Sequence, residues 1–395
     1  MLGVGLSVVQ VAVRKLLGGT FTPAALFTTG VNGAWYDPSD FSTMFQDAAG
    51  TTPVTAVGQP VGLMLDKSNG MVLGPEIITN GSFNNGLAGW TSGAFGSAVL
   101  QDGGAKIERS SDSVTNTALV WLASVSATAR YQITFDVLSG SGTMLLNGSV
   151  NVAASAGTKK FITTASSASS PIELRCFTGS FAVVDNISVR ELHGNHAFNP
   201  SGNSANFPVL QQDGTGRYYL AFNGVNQWLQ TNSIDFTYGD KMFVSAGVRK
   251  LSDAATSVLF ELSAIATSNS GSFYVSGPDS AGANKFSFLS TGTISASAST
   301  GNSNYSAPVT TVISGIGSVS APNAALRVNG TQVAQSTAAQ GTGNYGNYPL
   351  YIGARAGTSL WFNGRLYGLV IAGKQASASE IASTETWLNQ KTGAY

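Results

Sequence analysis

The sequence predicts an all-β protein of antiparallel sheets closed by one C-terminal helix, and three observations predict it. Glycine is abundant, 47 of 395 residues, roughly 12% where ~7% is typical. Charge is scarce: 20 Lys+Arg balance 20 Asp+Glu, 10% of the chain, against about 25% in an average soluble domain. Apolar and polar residues alternate with period two over long stretches, the mark of half-buried strands. With 43% hydrophobic residues the chain can bury a sizeable core, and intrinsic disorder is excluded despite the glycine. At about 150 residues per domain, the length corresponds to two or three domains.

In residues 1–30, Leu2, Leu6, Val9, Val13 and Leu16 are spaced 4-3-4-3, the seam of a short coiled coil. Val9, Val11 and Val13 equally alternate as a strand, and Gly3 and Gly5 weaken a helix, so both readings stand. Either way the stripe needs a partner, since each buried large apolar side chain is worth roughly 1.5–3 kcal/mol. The segment is therefore expected to be an assembly element. Leu2 to Val13 is too short to span a bilayer, and Arg14 and Lys15 follow it where a cleaved signal has its charge first. Neither a secretion signal nor membrane insertion is expected.

Along the chain, Tyr131, Ile133, Phe135 and Val137 alternate with Gln132, Thr134 and Asp136, which predicts one half-buried strand. Asn147-Gly148 and Asn329-Gly330, each between short apolar runs, predict two type I′ hairpins. Ser377 with Glu380 forms a capping box, Ile381, Thr384, Trp387 and Leu388 share a face, and Gly393 stands where a helix ends, which predicts the single helix. Residues 291–308 and 334–348, rich in Ser, Thr, Ala, Gly and Asn, read as long surface loops.

Several chemistries are excluded. One cysteine, Cys176, cannot form an intrachain disulfide, and His193 and His196 cannot complete a usual zinc site. Zero net charge gives no hold on nucleic acid or anionic lipid. Glycoside hydrolysis needs two carboxylates at a fixed separation; no such pair is recognisable, and Asp136, Glu173 and Glu261 read as solvated strand-face residues. No nucleophile elbow or phosphate loop occurs, so the chain is expected not to be an enzyme.

Ile77-Ile-Thr-Asn-Gly-Ser-Phe-Asn-Asn-Gly-Leu-Ala-Gly-Trp90 resembles the opening of jelly-roll carbohydrate-binding modules, and Val183-Val-Asp-Asn-Ile-Ser-Val189 resembles their closing strand. Ala221-Phe-Asn-Gly-Val-Asn-Gln-Trp-Leu229, Leu350-Tyr-Ile-Gly-Ala-Arg355 and Leu360-Trp-Phe-Asn-Gly-Arg-Leu-Tyr-Gly-Leu-Val370 resemble strands of the laminin-G/concanavalin-like sandwich of tailed-phage virion proteins. Leu65-Asp-Lys-Ser-Asn-Gly70 and His193-Gly-Asn-His-Ala197 look like one continuous element of such proteins split in two. The organisation expected is therefore an assembly segment at 1–30, a concanavalin-like sandwich begun by 31–70 and completed by 193–395, and a jelly roll at 71–192 inserted between its parts.

The resemblance implies a structural Ca²⁺ at Asn80 and Asp185, helped by backbone carbonyls, with Asp185 alternatively capping a turn by hydrogen bonds. Sugars stack on aromatic rings, and the candidates are Trp121 and Tyr131 in the jelly roll and Tyr345 and Tyr348 in a Gly/Asn-rich loop, with Trp90 assigned to packing. Asp66, His193 and His196 come close if the insertion holds, and are read as stabilising a turn. The function expected is that of a phage virion structural protein, tail-fibre-like or capsid-attached, assembled in the host cytoplasm and exposed on the particle. Other virion proteins, sister chains in a trimer and host cell-surface glycans would be its partners. A secreted polysaccharide-processing enzyme with accessory binding modules, or a purely architectural virion protein, is the alternative.

Overall fold

The alternating pattern resolves into four antiparallel sheets in the computed structural model, which describes residues 21–91, 98–109, 118–299 and 305–395. Two of the sheets draw strands from both ends of the chain. The first runs Val209–Gln212, Tyr218–Asn223, Asn363–Ala372, Lys241–Lys250, Val309–Ser318, Asn323–Val328, Thr331–Ser336, with Gly33–Tyr36 also paired to Asn363–Ala372. The second runs Met44–Phe45, Leu63–Met64, Ala197–Phe198, Leu229–Asp235, Asn347–Ile352, Val258–Leu262, Phe273–Ser276, Ser287–Thr291, Ser295–Ser299. Between them Phe222, Val244, Ala246 and Leu326 meet Leu229, Phe260, Phe273 and Leu350 in one apolar core.

The strands of 73–192 build the other two sheets. Arg130–Ser141 and Ser180–Leu192 lie at the centre of one, and Ile172–Cys176 at the centre of the other, between Thr143–Leu146 and Ala118–Trp121. Tyr131, Ile133, Phe135 and Val137 point into the core between these sheets while Gln132, Thr134 and Asp136 stay half exposed, as the alternation predicts. Asn147-Gly148 (φ 50 and 71) and Asn329-Gly330 (φ 49 and 78) both take the left-handed backbone that a type I′ turn requires, and each joins two paired strands.

The helix Ala378–Thr392 begins with the expected capping box and ends at Gly393 in the left-handed conformation. It covers the outer face of the first sheet, where Trp387 and Leu388 pack on Trp35, Phe243, Val312 and Val370. Trp35 and Trp387 meet edge to face at 5.8 Å. Gly247 gives the helix room, because a Cβ there would lie 2.6 Å from Thr392 Cγ2. With both faces of the sheet occupied, Lys241–Lys250 is buried almost throughout and does not alternate. Leu26 is buried under the same helix.

The loop expected over 291–308 is corrected at Ser295–Ser299, which pairs as an edge strand with Ser287–Thr291. A Ser/Ala run has neither β propensity nor apolar alternation, so its pairing comes from the neighbouring strand. Leu2, Leu6, Val9, Val13 and Leu16 lie outside the described residues. Among the described residues no helix is long and apolar enough to cross a membrane.

Replacing Ser377 with Ala removes the acceptor for the Glu380 N–H and should lower stability by about 1 kcal/mol. A shifted urea midpoint with unchanged slope checks this; an unshifted midpoint would mean the helix lies outside the cooperative unit.

Candidate functional site

The buried Asp66 carboxylate sits where the chain passes between the two pairs of sheets. Its Oδ1 accepts from the backbone N–H of Trp35 and of Ser68, both at 2.8 Å. Its Oδ2 accepts from Ser68 Oγ at 2.7 Å and from the Asn195 N–H at 2.8 Å. The Asp66 N–H in turn donates to His196 Nδ1 at 3.0 Å, while His196 Nε2 donates to the Leu192 carbonyl at 3.0 Å. Burial keeps His196 neutral, below the ordinary histidine range, against the opposing pull of the Leu192 carbonyl and Asp66. Every capacity of the cluster is used in holding chain segments together, so it is a structural knot. His193 stands outside it, 3.5 Å from Glu191.

The four aromatic residues expected to stack on sugars do not gather in one place. Trp121 is 9% exposed and packs edge to face on Trp90 at 5.1 Å. Tyr131 is buried, its hydroxyl donating to the Ser126 carbonyl at 3.0 Å. Tyr345 is not on a surface loop: it is 1% exposed, stands edge-on to Phe273, and shares a 2.6 Å hydrogen bond with Ser290 Oγ. Tyr348 is half-buried and donates to the Ser270 carbonyl at 3.2 Å. A ring whose faces are covered by core cannot receive a pyranose, so Trp121, Tyr131 and Tyr345 are corrected to packing residues.

The Asn80 side chain is engaged within its own loop, donating to the carbonyls of Gly86 and Ala88 and accepting from the Asn85 N–H. Asp185 Oδ1 is buried without a hydrogen-bond partner. Among the described residues no group of three or more His, Cys, Asp or Glu could hold a metal. Ca²⁺ takes six to eight oxygen ligands, so with one carboxylate and the Asn80 side chain engaged in its loop, backbone carbonyls would have to supply most of the coordination.

Glu261, expected on a solvated face, is fully buried. Arg355 Nε donates to both its oxygens, at 2.9 and 3.2 Å, and the Ala266 N–H adds a third bond at 2.6 Å. Burial pushes this carboxyl above the ordinary glutamate range, with Arg355 and Ala266 opposing.

A groove of about 360 Å³ opens beside the end of the C-terminal helix, lined by Arg217, Arg249, Arg365, Asp213, Thr310 and Tyr367 among others. Adjacent strands carry two of its arginines, Arg249 and Arg365, which face each other as direct partners in the ladder. The Arg365 guanidinium lies 4.5 Å from the centre of the Tyr219 ring, which supports it. Arg249 Nη1 reaches Thr310 Oγ1 at 3.4 Å, while its Nε is buried without a partner. Arg217 Nη1 donates to Thr215 Oγ1 at 2.6 Å, and its guanidinium lies against Gly393, where a Cβ would come within 2.5 Å. The carboxylate at the rim, Asp213, is occupied by its own turn, Oδ1 accepting from the Thr215 N–H and hydroxyl and from the Arg217 N–H. Burial raises Asp213, but those hydrogen bonds and the Arg217 charge outweigh it and hold the group below the usual carboxylate range. Sequence reasoning missed this groove because the turn at 213–217, the paired strands carrying Arg249 and Arg365, and the helix end meet only through the tertiary fold. Its one sequence signal is Arg365 inside the apolar run Leu360 to Val370.

A family model for the concanavalin A-like lectin/glucanases superfamily matches residues 222–382. The comparison with curated proteins finds no match. Among solved structures, the botulinum neurotoxin serotype C1 binding domain is 11% identical over 47% of this chain and 48% of its own, with a TM-score of 0.35. The Ruminococcus gnavus IT-sialidase CBM40 bound to α2,3-sialyllactose is 14% identical over 37% of this chain and 83% of its own, at 0.30. The NanB sialidase of Streptococcus pneumoniae is 17% identical over 42% of this chain and 27% of its own, at 0.30. The chain thus spans under half the length of the neurotoxin domain. The class of protein so defined is all-β, with a C-terminal sandwich similar to lectin-type sandwiches.

Arg355→Met should cost about 3 kcal/mol at pH 7, because it leaves a buried carboxylate without its cation. A carboxyl raised in the folded state binds its proton more tightly there than in the unfolded chain, so stability falls as pH rises through the raised range. The deficit of the variant should therefore shrink on acidification from pH 7 toward the ordinary glutamate range; denaturation at several pH values measures it, and a pH-independent deficit would contradict it.

Proposed function

We propose that this chain is a non-catalytic carbohydrate-binding protein that serves as an adhesion component of a bacteriophage particle. The observation that carries the carbohydrate reading is the groove of about 360 Å³ on the lectin-like sandwich, open enough for a saccharide and lined by side chains that donate hydrogen bonds. The virion role is supported by the sequence resemblance, and a trimer formed through residues 1–30 by the apolar stripe Leu2, Leu6, Val9, Val13 and Leu16. The jelly roll at 71–192 is an insertion in this reading. Its support is the pairing of Gly33–Tyr36 with Asn363–Ala372 and of Leu63–Met64 with Ala197–Phe198, which gives the lectin-like sandwich strands from both sides of the module.

Immobilised on a sensor at high density, the full chain should bind saccharides of a host-surface glycan panel, with micromolar-to-millimolar affinity per site and tighter apparent binding by the multimer. Binding to no glycan at any density would remove the carbohydrate reading and leave an architectural protein.

Replacing 71–192 with a short Gly/Ser linker should leave a soluble protein with one cooperative melt. Unfolding of that chain while 193–395 folds alone would sink the insertion reading.

A further inference from the structure

We propose that the arginine groove is a site for an acidic saccharide, one whose carboxylate or sulfate groups are spaced to meet Arg249 and Arg365 together; the proposal rests on the carbohydrate-binding reading and names the ligand class of that site. Two like charges directly opposite each other in an antiparallel ladder are destabilising. Arg249 and Arg365 hold that relation across the two central strands of the sheet. None of the ion pairs among the described residues includes them or Arg217, whereas Arg327 and Arg355 are paired with Glu385 and Glu261. In a chain with so few charges, three guanidinium groups around one groove face a single carboxylate, Asp213, whose charge acts on Arg217, so the groove keeps a net positive charge.

Each group is also held in a way that suits a ligand. Tyr219 supports Arg365 from one side, and Arg249 has a buried Nε with no partner. Arg217 rests at the end of the helix Ala378–Thr392, where the partial negative charge of the last carbonyls favours a cation. Asp213 Oδ1 at the rim is taken up by its turn, and the carboxylate's charge acts on Arg217, while Arg249 and Arg365 are in no ion pair among the described residues. Planar guanidinium groups match the oxygens of carboxylate and sulfate in paired hydrogen bonds, and the half-buried Thr310 adds a hydroxyl beside Arg249, while Tyr367 is buried beneath the groove and bonded to Arg365. Zero net charge argues for a short acidic saccharide over nucleic acid, which would need a basic track along the surface.

The test is titration of the full chain with a dextran sulfate oligosaccharide, a polygalacturonate oligosaccharide, unmodified dextran of equal length, and a single-stranded oligodeoxynucleotide. At least one acidic saccharide should bind, more weakly as salt is raised, with unmodified dextran and the oligodeoxynucleotide far behind. Arg249→Gln and Arg365→Gln should each weaken that binding roughly tenfold or more. Neither should lower the melting temperature, since each relieves the repulsion across the ladder; Arg249→Lys and Arg365→Lys, which keep the charge without the fork, provide folded controls with intermediate affinity. Acidic binding unchanged in the Arg249→Gln/Arg365→Gln chain would overturn the site, and equal binding of the oligodeoxynucleotide would overturn the saccharide class. Binding confined to neutral glycans of a wider panel and indifferent to these substitutions would overturn this inference while leaving the carbohydrate-binding reading intact, whereas no binding to any glycan would remove both.

Discussion

The arrangement of the chain depends on one buried carboxylate. Asp66 accepts four hydrogen bonds from three separated stretches of chain, and its own N–H is taken by His196. A buried charge without such partners costs far more than it returns, whereas one fully hydrogen-bonded can be kept, and with it comes a fixed geometry. Asn195 extends the network, its Nδ2 donating to the Gly33 carbonyl at 2.7 Å and its own carbonyl accepting from the Tyr36 hydroxyl. Strand Gly33–Tyr36, the turn after Leu65 and the return at residues 192–196 are thereby fixed to one another.

Local rules were legible in the sequence wherever one residue's conformation decides the outcome. Asn147-Gly148 and Asn329-Gly330 turn as their backbone preferences require, and Ser377 with Glu380 starts the helix. What could not be read depends on contacts made across the fold. Tyr345 belongs to a run with loop composition, and nothing nearby in sequence signals that Ser290 waits for its hydroxyl. Glu261 looks like any isolated acid until Arg355 is brought beside it by the pairing of Val258–Leu262 with Asn347–Ile352. The groove is harder still, because Arg249 and Arg365 become neighbours only through ladder register, which no local pattern encodes.

Scarcity of charge gives each ionic contact a position that matters. Arg327 reaches Glu385 through two hydrogen bonds at 2.8 and 3.0 Å, fastening the helix to the sheet beneath it. Lys391 meets both carboxylate oxygens of Asp37 near the helix end, at 3.0 and 2.9 Å. These contacts join elements far apart in sequence, in keeping with a protein whose surface is mostly neutral and whose cohesion is chiefly apolar.

The passage between the two pairs of sheets is made twice, once after Asp66 and once before His196, and the two crossings are bonded to each other. Leu63 and Leu65 on one side pack against Ile162 and Leu192 on the other, and the Ile162 N–H donates to the Gly50 carbonyl at 3.3 Å. A single-stranded link lets a domain swivel about one axis, whereas a bonded double link with an apolar seat resists twisting and pulling together. Any force passing from one sandwich to the other therefore has two bonded crossings and an apolar seat to act through, not one peptide link.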